Sequence, residues 1–201
     1  MEAGAIIIGG GYSGTMVAAE LSCRGVSSII VEGGGREGRG TAYSTPEDAH
    51  LLNVIAGRMG AWSDRPGDFA EEIAAEGYQP DDFVPRRRYG QYLRRILDDA
   101  MATGLVRLVP HAATTVERTD GGWKVGLADG SHFDGKSLVL AHGNQAPEPP
   151  AFASGLPADR KRLPYRPPAS LRGMERGRAR RVSASMPERP HRSLRAKAGR
   201  V

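Results

Sequence analysis

One cysteine in 201 residues, Cys23, excludes an internal disulfide framework and any metal site built from several cysteines. That usage fits a reducing cytoplasm, and Cys23 itself reads as a small apolar helix residue. No bound metal is expected. Long hydrophobic runs are also missing. The run at residues 5–8 is far too short to span a bilayer, and no basic flank marks a secretory signal. A cytoplasmic protein without membrane partners is expected. No internal repeat is visible along the chain.

The last 44 residues, 158–201, contain no Ile, Phe, Trp, Thr, Asn, Gln or Cys, and 12 of them are Arg. The formal charge of +5 has its origin there. Residues 1–157 carry 14 basic and 20 acidic side chains, whereas residues 158–201 carry 14 basic and 3 acidic. A segment of this composition cannot bury enough apolar surface to offset chain entropy, so residues 158–201 are expected to form a disordered basic tail after a domain spanning 1–157. Two origins compete for the tail. It reads either as a basic arm for polyanions or as a peptide from a shifted reading frame in a GC-rich gene. The second is favoured, because residues with AT-rich codons are absent and no aromatics interleave the arginines to stack on bases. Nucleic acid is therefore not expected as a partner.

Within residues 1–157 the pattern is ordered. Ala5-Ile6-Ile7-Ile8 is a continuous apolar run ending in three glycines, which suits a strand buried on both faces of a parallel sheet. A helix is predicted over 13–24 with Gly25 behind it, then a second apolar strand over 28–32 that closes with an acid. Residues 33–40 are rich in glycine and charge. A long irregular stretch then reaches Pro85, with a short apolar segment at 51–55. Tyr89, Tyr92, Leu93, Ile96, Leu97 and Ala100 recur at helical spacing and predict an amphipathic helix over 88–102. Strands are expected at 106–109, 113–118, 123–127, 131–133 and 138–141, with Asp120-Gly121-Gly122 and Asp129-Gly130 as hairpin turns.

The chemistry is carried by Gly9-x-Gly11-x-x-Gly14, set between a buried strand and a helix, with Glu32 eighteen residues beyond Gly14. Gly9 permits a tight turn, Gly11 lets backbone approach a pyrophosphate, and Gly14 lets the helix pack closely on the strand. The helix start offers unbonded N–H groups and a positive dipole end, and Glu32 is placed to accept hydrogen bonds from an adenosine ribose. Ser13 is a candidate helix cap or phosphate ligand. The arginines at 86–88 read as a solvated cluster, with phosphate contact as the sharper alternative. These features predict dinucleotide binding and leave FAD and NAD equally open.

The later layout, a loop, a helix and a run of hairpin strands before a closing strand, resembles flavoproteins of the glutathione-reductase type. More narrowly, GRGTAYSTPEDAHLLNVIAGRMGAW at residues 38–62, DDFVPRRRYGQYL at 81–93 and LVLAHGN at 138–144 resemble a bacterial family of FAD/NAD(P)-binding proteins, the NAD(FAD)-dependent dehydrogenases, which includes a flavin-dependent urate hydroxylase. The resemblance implies an α/β fold: a Rossmann-type FAD-binding domain with a parallel sheet and a β-meander, here incomplete. It implies FAD as cofactor and NAD(P)H as electron donor. It also implies that Asn53 lies beside the flavin ring as the catalytic candidate, that Gly143 lets the chain pass close to the cofactor, and that Ala113 presents backbone to the adenine. His142 stands where such enzymes commonly have a small or hydroxyl residue.

The function expected on these grounds is the N-terminal FAD-binding part of a FAD-dependent oxidoreductase or monooxygenase. The alternative is a non-enzymatic nucleotide-binding module with a polyanion-binding tail. No second glycine-rich motif and no later apolar strand to complete the sheet is seen, so the chain alone is expected to bind FAD weakly and to show no sustained NAD(P)H oxidation. Deletion of residues 158–201 is expected to leave flavin binding unchanged, measured as FAD retained after gel filtration. Loss of binding on that deletion would make the tail a working part.

Overall fold

The computed structural model describes residues 3–144, and the segment from residue 158 onward lies outside them. The apolar run near the N-terminus is strand β1 (Ala3–Ile8), and it is parallel to β2 (Ser28–Val31) with Ile6 beside Ile29 and Ile7 beside Ile30. Alternate residues of a strand face opposite sides, so a strand with no polar alternation must be covered twice. That is what is found. Ile7 and Ile30 pack with the helices, and Ile6, Ile29 and Val31 pack with the meander.

The helical cover consists of α1 (Tyr12–Cys23), α2 (Gly40–Tyr43), α3 (Asp68–Ala74) and α4 (Arg86–Ala102), with one 3-10 turn at Ala56–Arg58. Helix α4 buries the face written in its sequence spacing, Tyr89, Tyr92, Leu93, Ile96, Leu97 and Ala100. Helix α3 corrects the expected irregular stretch. It buries Phe69, Ala70 and Ile73 against α4, and seven residues give too few turns for a helical period to stand out. Phe69 meets the ring of Tyr89 edge-on at 4.9 Å. The buried Tyr92 hydroxyl donates to Asp68 and accepts the Ala61 N–H at 3.0 Å, so its polar end is satisfied inside the apolar cluster. No helix among the described residues is long and apolar enough to cross a membrane.

After β3 (Val106–Val109), parallel to β2, the chain forms β4 (Ala113–Thr119), β5 (Gly122–Leu127) and β6 (His132–Leu140). The sheet order is β3-β2-β1-β6-β5-β4. The two separate strands expected at 131–133 and 138–141 are one nine-residue strand, β6. Its first part pairs antiparallel with β5, from His132 opposite Gly126 to Gly135 opposite Trp123. Its remainder runs parallel to β1, from Gly135 beside Ala3 to Leu140 beside Ile8. Gly135 belongs to both ladders, and a Cβ there would lie 2.8 Å from Ile6 Cγ1. The polar residues Asp134 and Lys136 around it break the apolar pattern and hide the continuity of the strand. The result is an α/β fold with a six-strand mixed sheet, a parallel core continued by an antiparallel meander.

Leu93 is fully buried between α4 and the sheet, whereas Leu140 is 62% exposed. Leu93→Ala is expected to destabilise the fold by about 2–5 kcal/mol in urea unfolding. Leu140→Ala is expected to stay within about 0.5 kcal/mol of the parent.

Candidate functional site: the glycine turn between β1 and α1

The turn that follows β1 is shaped by contacts that leave no room for side chains. Gly9 has φ +105°, and a Cβ on it would lie 2.3 Å from the Ala141 carbonyl oxygen and 2.9 Å from His142 Cα. A Cβ on Gly14 would lie 1.9 Å from the Gly9 carbonyl oxygen. The first glycine thus makes the turn, and the third lets α1 close onto it. Ala141 N–H donates to the Ile8 carbonyl at 2.7 Å, which ties the end of β6 to the same turn.

Gly11 is the N-cap of α1, in extended geometry at φ −74°, and the first helical bond runs from Thr15 N–H to the Gly11 carbonyl at 2.9 Å. The N–H groups of Tyr12, Ser13 and Gly14 therefore precede the helical ladder. No acidic residue stands in the first turn of α1 to neutralise its positive end. Ser13 is the second residue of the helix and is exposed, and the cap carries no side-chain hydrogen bond. Of the two roles open to Ser13, capping is not seen, since the extended Gly11 occupies the cap position, and the exposed hydroxyl stands beside the N–H groups of the first turn.

Glu32 follows β2 and reaches across to the turn. One carboxylate oxygen accepts the Gly10 N–H at 2.8 Å, and the other accepts the Gly34 N–H at 2.6 Å. A carboxylate has about four acceptor sites, so capacity for a ribose hydroxyl is left over. Beyond β2, a Cβ on Gly33 would lie 2.6 Å from Ala112 N, so it is Ala112 that lies against this loop. Ala113, the next residue, pairs with Leu127 at the start of the meander.

The loop after Glu32 folds back over the turn. Gly38 N–H donates to the Gly10 carbonyl at 2.7 Å, and a Cβ on Gly11 would lie 3.4 Å from Gly40 Cα. Thr15, fully buried, sends its hydroxyl to the Gly10 carbonyl at 3.4 Å. Gly10, Thr15, Gly38 and Gly40 were not singled out from the sequence. The GRG pattern at residues 38–40 was visible only as part of a family resemblance. Tyr12, at the start of α1, stacks on Tyr89 at 6.4 Å, and Tyr43 meets Tyr89 at 4.8 Å, which joins α1, α2 and α4 beside the turn. Burial pushes the Tyr89 and Tyr43 phenols above their ordinary range, so both stay neutral.

The expected site residues thus fall into two groups. Gly9, Gly11, Ser13, Gly14 and Glu32 surround one turn. Gly143 lies one residue past the segment that packs on Gly9, with φ +71°, a conformation that favours glycine. Asn53 occupies an exposed bend after Leu52, whose N–H donates to the Val84 carbonyl at 2.8 Å. Neither Asn53 nor Ala113 is among the described residues whose contacts assemble the turn.

A buried parallel sheet, a side-chain-free turn into a helix and an acid closing the next strand define a dinucleotide-binding domain. The chain belongs to the FAD-NAD(P)-binding family, whose model matches residues 6–145. Among solved structures it is similar to an oxidized steroid monooxygenase bound to NADP, at 18% identity over 75% of this chain and 28% of that one, with a TM-score of 0.57. A mutant cyclohexanone monooxygenase from Rhodococcus sp. Phi1 bound to NADP+ matches at 18% identity, 71% and 26% coverage and a TM-score of 0.56. The bacillithiol disulfide reductase of Staphylococcus aureus matches at 18% identity, 71% and 39% coverage and a TM-score of 0.54. The chain therefore spans between 26% and 39% of the length of these proteins, and what it shares with them is the fold. No curated protein sequence matches it.

Glu32→Gln keeps one acceptor oxygen but turns an amide N–H toward one of the two backbone donors. A loss of about 1–3 kcal/mol of stability is expected, checked by denaturant unfolding without ligand. A variant as stable as the parent would mean that the carboxylate does not hold the turn.

Proposed function

We propose that the chain binds FAD at the glycine turn and is the N-terminal FAD-binding part of a NAD(P)H-dependent flavin oxidoreductase or monooxygenase. The observation that carries this reading is the pairing of uncommitted N–H groups at the start of α1 with the carboxylate of Glu32 at the end of β2. It supports a ligand with a diphosphate joined to an adenosine ribose. The N–H groups of Tyr12, Ser13 and Gly14 would hold the diphosphate, and Glu32 would orient the ribose through its remaining acceptor sites. The contact distances around Gly11 fit that role, since its nearest neighbour is another glycine, Gly40.

FAD would supply electron transfer between NAD(P)H and an acceptor, while the protein provides position and electrostatics. The family, defined for FAD and NAD(P), favours a flavoprotein over a simple nicotinamide-binding module. We assign Asn53 to the flavin side of the site, where its exposed bend leaves the amide accessible. Gly143 and Ala113, next to Ala112 at the Gly33 loop, would border the cofactor as backbone.

The discriminating variant is Gly11→Ala. Its backbone at φ −74° accepts alanine and the added Cβ meets nothing closer than 3.4 Å, so the protein is expected to fold normally. The methyl group would stand where the diphosphate must approach, and FAD affinity is expected to fall at least about tenfold, which corresponds to about 1.4 kcal/mol. Titration of apoprotein followed by FAD fluorescence checks this. Parent-like FAD binding by a folded Gly11→Ala protein would remove the turn from the cofactor site.

A further inference from the structure

We infer that Arg39 is the cation that meets the diphosphate of the bound dinucleotide, an assignment that rests on the FAD reading above. Most arginines of the described residues already have a partner. Arg24 bonds Glu20, Arg87 bonds Asp48, Arg88 bonds Glu76, Arg94 bonds Asp98 and Arg95 bonds Glu72. Arg36 donates to the Thr41 hydroxyl and Arg86 to the Leu51 carbonyl. Arg65, Arg107 and Arg118 lie over aromatic rings. The three consecutive arginines at 86–88 are therefore engaged in holding α4 to the neighbouring loops.

Arg39 differs in three respects. Its Nε is buried with no hydrogen-bond partner among the described residues. Arg88 Nε is also unpartnered, but that guanidinium is neutralised by Glu76 at 2.9 Å and also donates to Gln91. Second, Arg39 stands between the two residues that touch the glycine turn, Gly38 through its bond to the Gly10 carbonyl and Gly40 through its contact with Gly11. Third, its stem is fixed. A Cβ on Gly90 of α4 would lie 3.1 Å from Arg39 Cγ and 3.3 Å from Cδ, so the side chain lies in the gap that this glycine leaves.

A guanidinium cannot shed its proton to escape burial, so a partly desolvated one without an anion is costly. The start of α1 has the opposite need. Its helix end carries roughly half a positive charge, less than a diphosphate requires, and it has no acid of its own to neutralise it. A diphosphate on the turn satisfies both. Arg39, its stem already packed over Gly90, adds a charge-assisted bond to the backbone cradle.

The test uses the full 201-residue chain with FAD, ADP and adenosine as probes, titrated calorimetrically at two salt concentrations. Arg39→Met keeps the stem on Gly90 and removes the charge, and Arg39→Lys keeps a charge but not the fork. Arg58→Gln, a change at an exposed arginine of the 3-10 turn, is the control. Arg39→Met is expected to weaken FAD and ADP by about 10- to 100-fold, with a shallower salt dependence and adenosine affinity unchanged. Arg39→Lys should recover part of the loss, and Arg58→Gln should match the parent. Equal affinity of parent and Arg39→Met for FAD and ADP would overturn the assignment while leaving the FAD reading intact. An equal loss for adenosine and ADP would make Arg39 a packing residue only. Failure of the parent to bind FAD or ADP at all would overturn both readings.

Discussion

The Gly9 carbonyl oxygen and the Cα of Gly14 occupy space that no side chain can share, and the site follows from that contact. Only with both positions bare can α1 begin directly above the end of β1. The N–H groups of its first turn then gather over one point beyond the C-terminal end of β1. Glu32 fixes the same point from the side, because its carboxylate spans the Gly10 and Gly34 N–H groups and so binds the turn after β1 to the turn after β2. The cradle is made almost wholly of backbone, and side chains enter it as braces.

The parallel core was legible in the sequence because it obeys simple rules. Strands covered on both faces must be continuously apolar, and Ile6 to Ile8 and Ile29 to Val31 are. Helix α4 was legible because six of its buried residues, Tyr89 to Ala100, are apolar and repeat over three turns. The same rules failed where an element was too short or too polar to show a period. Helix α3 buries only Phe69, Ala70 and Ile73, and β6 carries Asp134, Gly135 and Lys136 through its middle. Pattern reading breaks such a strand in two, although its hydrogen bonds do not break.

At the site the division is similar. The spacing of Gly9, Gly11, Gly14 and Glu32 is legible because the strand, turn, helix and strand that carry it follow one another within residues 5–32, although Gly9 also packs against Ala141 from the far end of the chain. Of the two roles open to Ser13, the capping reading fails because the residue before a helix is easily confused with one just inside it. Arg39 could not be distinguished from the arginines at 86–88 by composition. What sets it apart is a buried Nε with no partner among the described residues and the gap over Gly90, and both depend on residues far away in the chain.

Because β6 belongs to two ladders, the meander and the parallel core are not independent cooperative units. Peeling β5 away exposes the first half of β6 and loosens Gly135, and the register of β6 on β1 passes through that residue. Ala141, which ties the strand to Ile8, and His142, against which Gly9 turns, follow directly on the same strand. Local opening of an outer hairpin, an event that in many proteins stays at the periphery, would here be transmitted along a single strand to the backbone that forms the turn. Amide protection at the turn is thus linked to the integrity of a hairpin that contributes no group to it.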